Sequence, residues 1–184
     1  MSEISDRFRK VAGGFARRAE SVDPDAWSRP SPCEGWDARD VVRHLVGWTP
    51  PFLRSGAGLE LPAGPSVDEN PVAAWTVFCA GLQDVLDDPT VSESEFHDER
   101  TRTHRVDAAI DMFVLGDVLI HTWDLARATG QDDTLDPDEV RRMRAGREGL
   151  GDLLVQSGHY APAIGVADDA DEQTRLIALT GRRP

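Results

Sequence analysis

The sequence predicts one all-α domain built as a bundle of amphipathic helices. Apolar residues recur at three- and four-residue steps in several stretches, the spacing that places them on one face of a helix. The proline- and glycine-rich stretches between them are typical of helix connections rather than of domain linkers. The length of 184 residues is about that of one domain. We therefore expect residues 1–184 to form a single domain.

The first two helices are predicted at residues 5–19 and from residue 38 onward. The first carries a regular apolar face, formed by Phe8, Val11, Ala12, Phe15 and Ala19. The second has Asp37 as its N-cap and Asp40 three residues later, in the arrangement of a capping box. We expect it to end at Pro50 or Pro51, because proline lacks the backbone donor that a helix interior needs.

The remaining helices begin at similar signals. Asn70 and Pro71 precede a helix over residues 72–86, and Asp136 and Pro137 begin one that reaches about residue 156. Residues 107–129 are apolar almost all round, which predicts a helix buried on most sides. Residues 87–107 predict a short irregular or extended connection before that helix, and residues 171–180 a short final helix.

Composition and charge exclude several classes of function. With 33 acidic and 20 basic residues the net charge is −13, which repels phosphate backbones and anionic lipid headgroups. We therefore expect neither nucleic-acid nor membrane binding. The charged residues 1–10 lack the apolar core of a signal peptide, so we expect a cytoplasmic protein. Two cysteines, Cys33 and Cys79, are too few for a disulfide scaffold.

Polar residues on the buried helix indicate a binding or catalytic site. Asp117, His121 and Asp124 follow one another at four- and three-residue steps, so they lie along one stripe of that helix. His44 stands four residues after Asp40 in a second Asp-x-x-x-His pattern, within an otherwise apolar run of the second helix. Carboxylates and imidazoles on facing bundle helices can bind one divalent cation. We predict that His44, Asp117 and His121 are the ligands, a set that leaves coordination positions open as in catalytic sites.

Several roles stay open on the residues alone. Asp40 has a sufficient role in capping the second helix, and Asp124 either holds the second N–H of a ligand imidazole or pairs with Arg127. Arg43 and Arg127 either bind a substrate carboxylate or form surface ion pairs. Cys33 either places a thiol near the pocket or is inert. The ligand set itself has a metal-free alternative, a satisfied polar network in the bundle core.

Two stretches resemble a known family. Residues 30–45, PSPCEGWDARDVVRHL, and residues 117–131, DVLIHTWDLARATGQ, are similar to the actinobacterial metal-binding proteins related to the N-terminal domain of mycothiol-dependent maleylpyruvate isomerase. With the tail from residue 161 to 184, the resemblance covers nearly the whole chain. It implies a DinB-like four-helix bundle that binds zinc or nickel through His44, Asp117 and His121. The isomerase has a glutamate where this chain has Asp117.

The resemblance also implies a function. Related thiol S-transferases use the bundle alone, so we expect a mycothiol-dependent transferase that acts on a small electrophilic molecule, with the metal lowering the pKa of the bound thiol. The isomerase has an additional C-terminal domain that contributes to its active site, and the sequence ends where that domain would begin, so isomerase activity is not expected. The alternative is a non-catalytic metal-binding module, a sensor or an accessory protein. We also expect a homodimer.

Overall fold

The structure, a computed structural model, describes residues 2–98, 102–147 and 160–184. These ranges are mostly helical, which confirms the predicted all-α class. The elements in chain order are α1 (Glu3–Glu20), a 3₁₀ turn (Pro24–Ala26), α2 (Ala38–Ala57), α3 (Pro71–Asp87), α4 (Pro89–Ser92), β1 (Glu95–Asp98), β2 (Arg102–Arg105), α5 (Val106–Ala109), a π-helical segment (Ile110–Leu115), α6 (Gly116–Thr129), α7 (Pro137–Arg147) and α8 (Glu172–Leu179).

Four long helices form the bundle. α1 and α2 each pack against both α3 and α6, and the apolar faces of these helices meet in one core. Phe15 of α1 and Trp75 of α3 lie at its centre, fully buried, with ring centroids 4.3 Å apart. α7 and α8 pack against each other beside the bundle. None of the helices in the described ranges combines the length and apolar character that a bilayer crossing requires.

The connection between α3 and α5 is partly extended, as predicted. After the single turn α4, strands β1 and β2 form an antiparallel pair in which Glu95 faces Arg105. Phe96 of β1 is buried against α2, and its ring fills the space beside Gly56, where a Cβ atom would lie 2.1 Å from the ring. The hairpin is therefore anchored on the C-terminal end of α2.

The prediction that α2 ends at Pro50 or Pro51 is wrong. The helix continues to Ala57, and Gly58, with a φ of 67°, forms its left-handed C-cap. The φ of proline is itself a helical value, so each proline removes a hydrogen bond without forcing the chain out of the helix. Burial of Leu53 and the contact of Phe52 with Phe96 stabilise the last turns against that loss.

The other predicted helices are present, with two qualifications. The helix expected at 107–129 is interrupted by the π-helical segment, whose wider turns change the register between α5 and α6. α7 follows Asp136 as expected, but the predicted continuation over residues 148–156 lies outside the described residues. α8 begins after Asp171, whose side chain accepts a hydrogen bond from the backbone N–H of Thr174.

Candidate metal site

The structure brings His44, Asp117 and His121 together between α2 and α6. Nε2 of His44 lies 3.0 Å from Oδ2 of Asp117, and Nε2 of His121 lies 3.4 Å from Oδ1 of the same carboxylate. One donor atom from each of the three residues lies within 4.8 Å of the other two. The carboxylate thus stands between the two imidazoles, the arrangement that the metal hypothesis requires.

Local helix geometry explains the convergence. Asp117 and His121 are one turn apart in α6, and they face the first half of α2, where His44 lies. The π-helical segment ends two residues before Asp117, so it sets the register in which the α6 stripe faces α2. π-helical turns inside α-helices are frequent at functional sites.

The site is open on the His44 side and closed on the His121 side. The side chains of His44 and Asp117 are 27% and 20% exposed, whereas that of His121 is 5% exposed. Two tryptophans complete the surroundings. Nε1 of Trp48 donates a hydrogen bond of 2.9 Å to Oδ2 of Asp117, and the ring of Trp36 lies 5.0 Å from that of His44 and 5.7 Å from that of His121.

Charges inside the cluster stabilise one another. Burial disfavours the charged form of Asp117, but His121 and His44 outweigh burial and hold the pKa of that carboxyl well below its usual range. Burial likewise lowers the pKa of His121, but the Asp117 carboxylate outweighs it and raises the pKa well above the usual value. Asp117 is therefore ionised, the form in which its oxygens can bind a metal cation.

A second group of polar side chains adjoins His121. Nδ1 of His121 lies 2.8 Å from Oδ2 of Asp124, although the two are not aligned for a hydrogen bond. Arg182, near the C-terminus, donates to both oxygens of Asp124, at 2.8 Å each. Sγ of Cys33 is 3.4 Å from Oδ2 of Asp124 and 3.4 Å from Nη2 of Arg182.

This second group is a poor metal site. One donor atom each from Cys33, His121 and Asp124 also lies within 4.8 Å of the others. The guanidinium of Arg182, however, already binds both carboxylate oxygens and cannot lose its charge, so a cation placed there would be repelled. Asp124 thus lies beside the His121 imidazole and pairs with Arg182 rather than with Arg127.

The other open roles have structural answers. Asp40 completes a capping box with Asp37 at the start of α2. Arg43 pairs with Asp40 and Asp68, and Arg127 pairs with Asp133 at 3.1 Å. Both arginines are thus in ion pairs, as the surface interpretation expected.

Sequence reasoning missed three residues of the site: Trp36, Trp48 and Arg182. Trp48 had a usable signal, because it stands four residues after His44 on the same helix. Trp36 precedes the N-cap of α2, where no helical period applies. Arg182 is 58 residues from Asp124 in sequence, and no local pattern joins them.

Comparisons with known proteins identify the family of the chain. The family described as mycothiol maleylpyruvate isomerase N-terminal domain matches residues 8–126, the range that holds all three predicted ligands. The chain belongs to this family. Among relatives of this family member are two uncharacterised proteins of Mycobacterium tuberculosis, from strains CDC 1551 / Oshkosh and H37Rv. Each is 31% identical over 178 residues, which cover 95% of this chain and 94% of the relative. No solved structure matches the chain.

Proposed function

We propose that this protein binds one divalent cation, zinc or nickel, through Nε2 of His44, a carboxylate oxygen of Asp117 and Nε2 of His121, and that it acts as a mycothiol-dependent transferase on a small electrophilic molecule. The observation that carries the proposal is the convergence of these three donor atoms within 4.8 Å, at a place that solvent reaches. Membership in a mycothiol-related family supports the choice of thiol.

The donor set fits such a cation. Two imidazole nitrogens and one carboxylate oxygen are ligands that zinc and its neighbours accept. Nε2 of His44 lies 3.0 Å from Oδ2 of Asp117 and Nε2 of His121 lies 3.4 Å from Oδ1, and one donor atom from each residue lies within 4.8 Å of the other two, so small side-chain adjustments would bring all three to a single ion. Three protein ligands leave a position for a thiol.

The protein's own residues hold and shield these ligands. Trp48 fixes the Asp117 carboxylate by its hydrogen bond to Oδ2, and Trp36 packs against both imidazoles and limits their rotation. A bound zinc or nickel ion would supply the positive charge that converts a coordinated thiol to its nucleophilic thiolate near neutral pH.

An aromatic surface next to the site indicates the kind of electrophile. The ring of Phe52 lies 5.3 Å from that of Trp48 and 5.4 Å from that of Phe113, so half-buried aromatic rings extend from the carboxylate along α2. Arg43 and Arg127 are already paired with aspartates. We therefore propose an apolar electrophile held by ring contacts rather than one anchored by its carboxylate to these arginines.

The test is a thiol-transfer assay on metal-loaded protein without a polyhistidine tag. Mycothiol consumption is measured with a small aromatic electrophile for the wild type, for His121→Ala and for His97→Ala, a control that removes an exposed histidine from β1. The proposal predicts turnover by the wild type and the control and its loss in His121→Ala. Zinc binding without turnover would favour the non-catalytic alternative, and equal rates in all three proteins would contradict a catalytic site here.

A further inference from the structure

We infer that Arg182 is a positioning residue for this site, because it fixes the buried carboxylate of Asp124 and thereby the orientation of the His121 imidazole. The C-terminal segment is then part of the site, although the family match ends at residue 126. The part of this inference that concerns cation affinity rests on the proposed function. The part that concerns the orientation of the imidazole is independent of that function.

The chain is shaped to deliver Arg182 to this place. After α8, Gly181 has a φ of 81°, and its N–H donates to the carbonyl of Ala178 while the N–H of Arg182 donates to that of Ile177. These two bonds form a Schellman motif, which reverses the chain at a helix end. A Cβ atom at residue 181 would lie 2.8 Å from the carbonyl oxygen of Ala161, so glycine is required there on two grounds.

Burial makes the contact between Arg182 and Asp124 decisive for the local structure. The Asp124 side chain is fully buried, and that of Arg182 is 12% exposed. Nε of Arg182 contacts both carboxylate oxygens, at 2.8 and 3.0 Å, and Nη2 adds a third contact of 2.8 Å. Removing one partner of such a pair leaves an uncompensated charge in the interior, which forces its neighbours to rearrange.

The neighbour that must rearrange is His121. Its Nδ1 is buried, 2.8 Å from Oδ2 of Asp124, and it has no aligned hydrogen bond to any described residue. Its Nε2, on the opposite edge of the ring, faces Asp117. A shift of the Asp124 carboxylate therefore rotates the His121 ring and moves Nε2, the atom that would bind the cation. In metal proteins a carboxylate that accepts the second N–H of a ligand imidazole orients the ring, and the 2.8 Å separation here brings Asp124 within reach of that role.

Three variants isolate this role. Arg182→Met removes the charge and the donors, Arg182→Lys keeps the charge with a single ammonium, and Arg183→Met removes the same charge from the adjacent exposed residue. Two measurements are made at one pH. Nuclear Overhauser contacts between the His121 ring and the Trp36 indole, whose centroids are 5.7 Å apart, report ring orientation without metal. Zinc affinity is measured by competition with a chelator.

The inference predicts that Arg182→Met changes the His121–Trp36 contacts and weakens zinc binding about 10- to 100-fold, the usual effect of losing an outer partner. Arg182→Lys recovers part of both signals, and Arg183→Met matches the wild type. A merely structural role would lower the melting temperature without changing either measurement on the folded protein.

Every other result decides against one claim or the other. If Arg182→Met shows wild-type ring contacts and wild-type zinc affinity, the inference is overturned while the proposed function stands. If the wild type binds no zinc, the proposed function fails, and the ring contacts alone decide the inference. If Arg182→Met does not fold, the double variant Asp124→Asn with Arg182→Met, which removes both charges of this pair, replaces it. Wild-type ring contacts in that variant would equally overturn the inference.

Discussion

At the scale of single residues, the Asp117 carboxylate contacts three side chains. Oδ2 of Asp117 accepts the hydrogen bond of Trp48 and faces His44, while Oδ1 faces His121. A carboxylate held by so many groups has one orientation available, which reduces the entropy lost when it binds a cation. The position of the Asp117 side chain therefore controls how well its oxygens align with the two imidazole nitrogens.

Trp48 provides the simplest test of that control. Trp48→Phe keeps an aromatic ring but removes the N–H that donates to Asp117. We expect about a tenfold loss of zinc affinity, as for other outer partners, with little change in the melting temperature. Isothermal titration measures the affinity, and Trp36→Phe, which retains a ring beside both imidazoles, is the control. Equal affinity in Trp48→Phe and the wild type would show that this hydrogen bond does not position the carboxylate.

Cysteine chemistry also belongs to this scale. Burial raises the pKa of the Cys79 thiol to about 11, so at pH 8 about one molecule in a thousand carries the reactive thiolate. We expect iodoacetamide to modify Cys79 of the folded protein very slowly at pH 8 and progressively faster as the pH rises toward 11. Peptide mass spectrometry follows the reaction, with Cys79→Ser to assign the product. Rapid labelling of Cys79 at pH 8 would contradict the pKa.

At the scale of elements, α2 both carries His44 and anchors the hairpin through Gly56. A Cβ atom at residue 56 would lie 2.1 Å from the ring of Phe96, which is buried and cannot move freely. We expect Gly56→Ala to lower the free energy of unfolding by about 1–3 kcal/mol through overpacking.

The matched control lies in the same helix. Nothing stands within 4 Å of a Cβ atom at Gly47, so Gly47→Ala should raise the free energy of unfolding by about 0.5–1 kcal/mol by improving helix propensity. Urea unfolding compares the two variants. Similar effects of both substitutions would mean that Phe96 does not pack on α2 as described.

The elements also show what local sequence can predict. N-caps at Asp37 and Asn70 form as predicted, because each depends on contacts within four residues. The continuation of α2 through Pro50 and Pro51 depends on packing of its last turns against β1 and the π-helical segment, which no local pattern contains. The π-helical segment lies in a largely apolar run, and no sequence pattern there distinguishes it from an α-helix.

One part of the candidate site can likewise be predicted from local sequence, and the other part cannot. Repeated Asp-x-x-x-His spacing on two helices predicts that His44, Asp117 and His121 belong to one site, because helical periodicity fixes which residues share a face. The bundle class alone predicts that these two helices are neighbours, and the structure places them in contact. The pair of Asp124 with Arg182 depends on where the C-terminal segment lies, which sequence spacing does not determine.

At the scale of the whole molecule, cation binding should stabilise the fold. A ligand that binds the folded state alone adds about 2.7 kcal/mol at a concentration 100 times its dissociation constant. For a chain of this size we expect the melting temperature to rise by about 5–10 °C when zinc is added to chelator-treated protein. Calorimetry measures the rise, and His121→Ala should lose it. An equal rise in that variant would place the stabilising cation elsewhere.

The central claim is that one cation binds between α2 and α6. It is tested most directly by determining the metal content of untagged protein after zinc loading and gel filtration, by elemental analysis against protein concentration. We expect one zinc ion per chain for the wild type and none for His44→Ala or His121→Ala. A wild-type protein without zinc, or variants that retain a full equivalent, would contradict it.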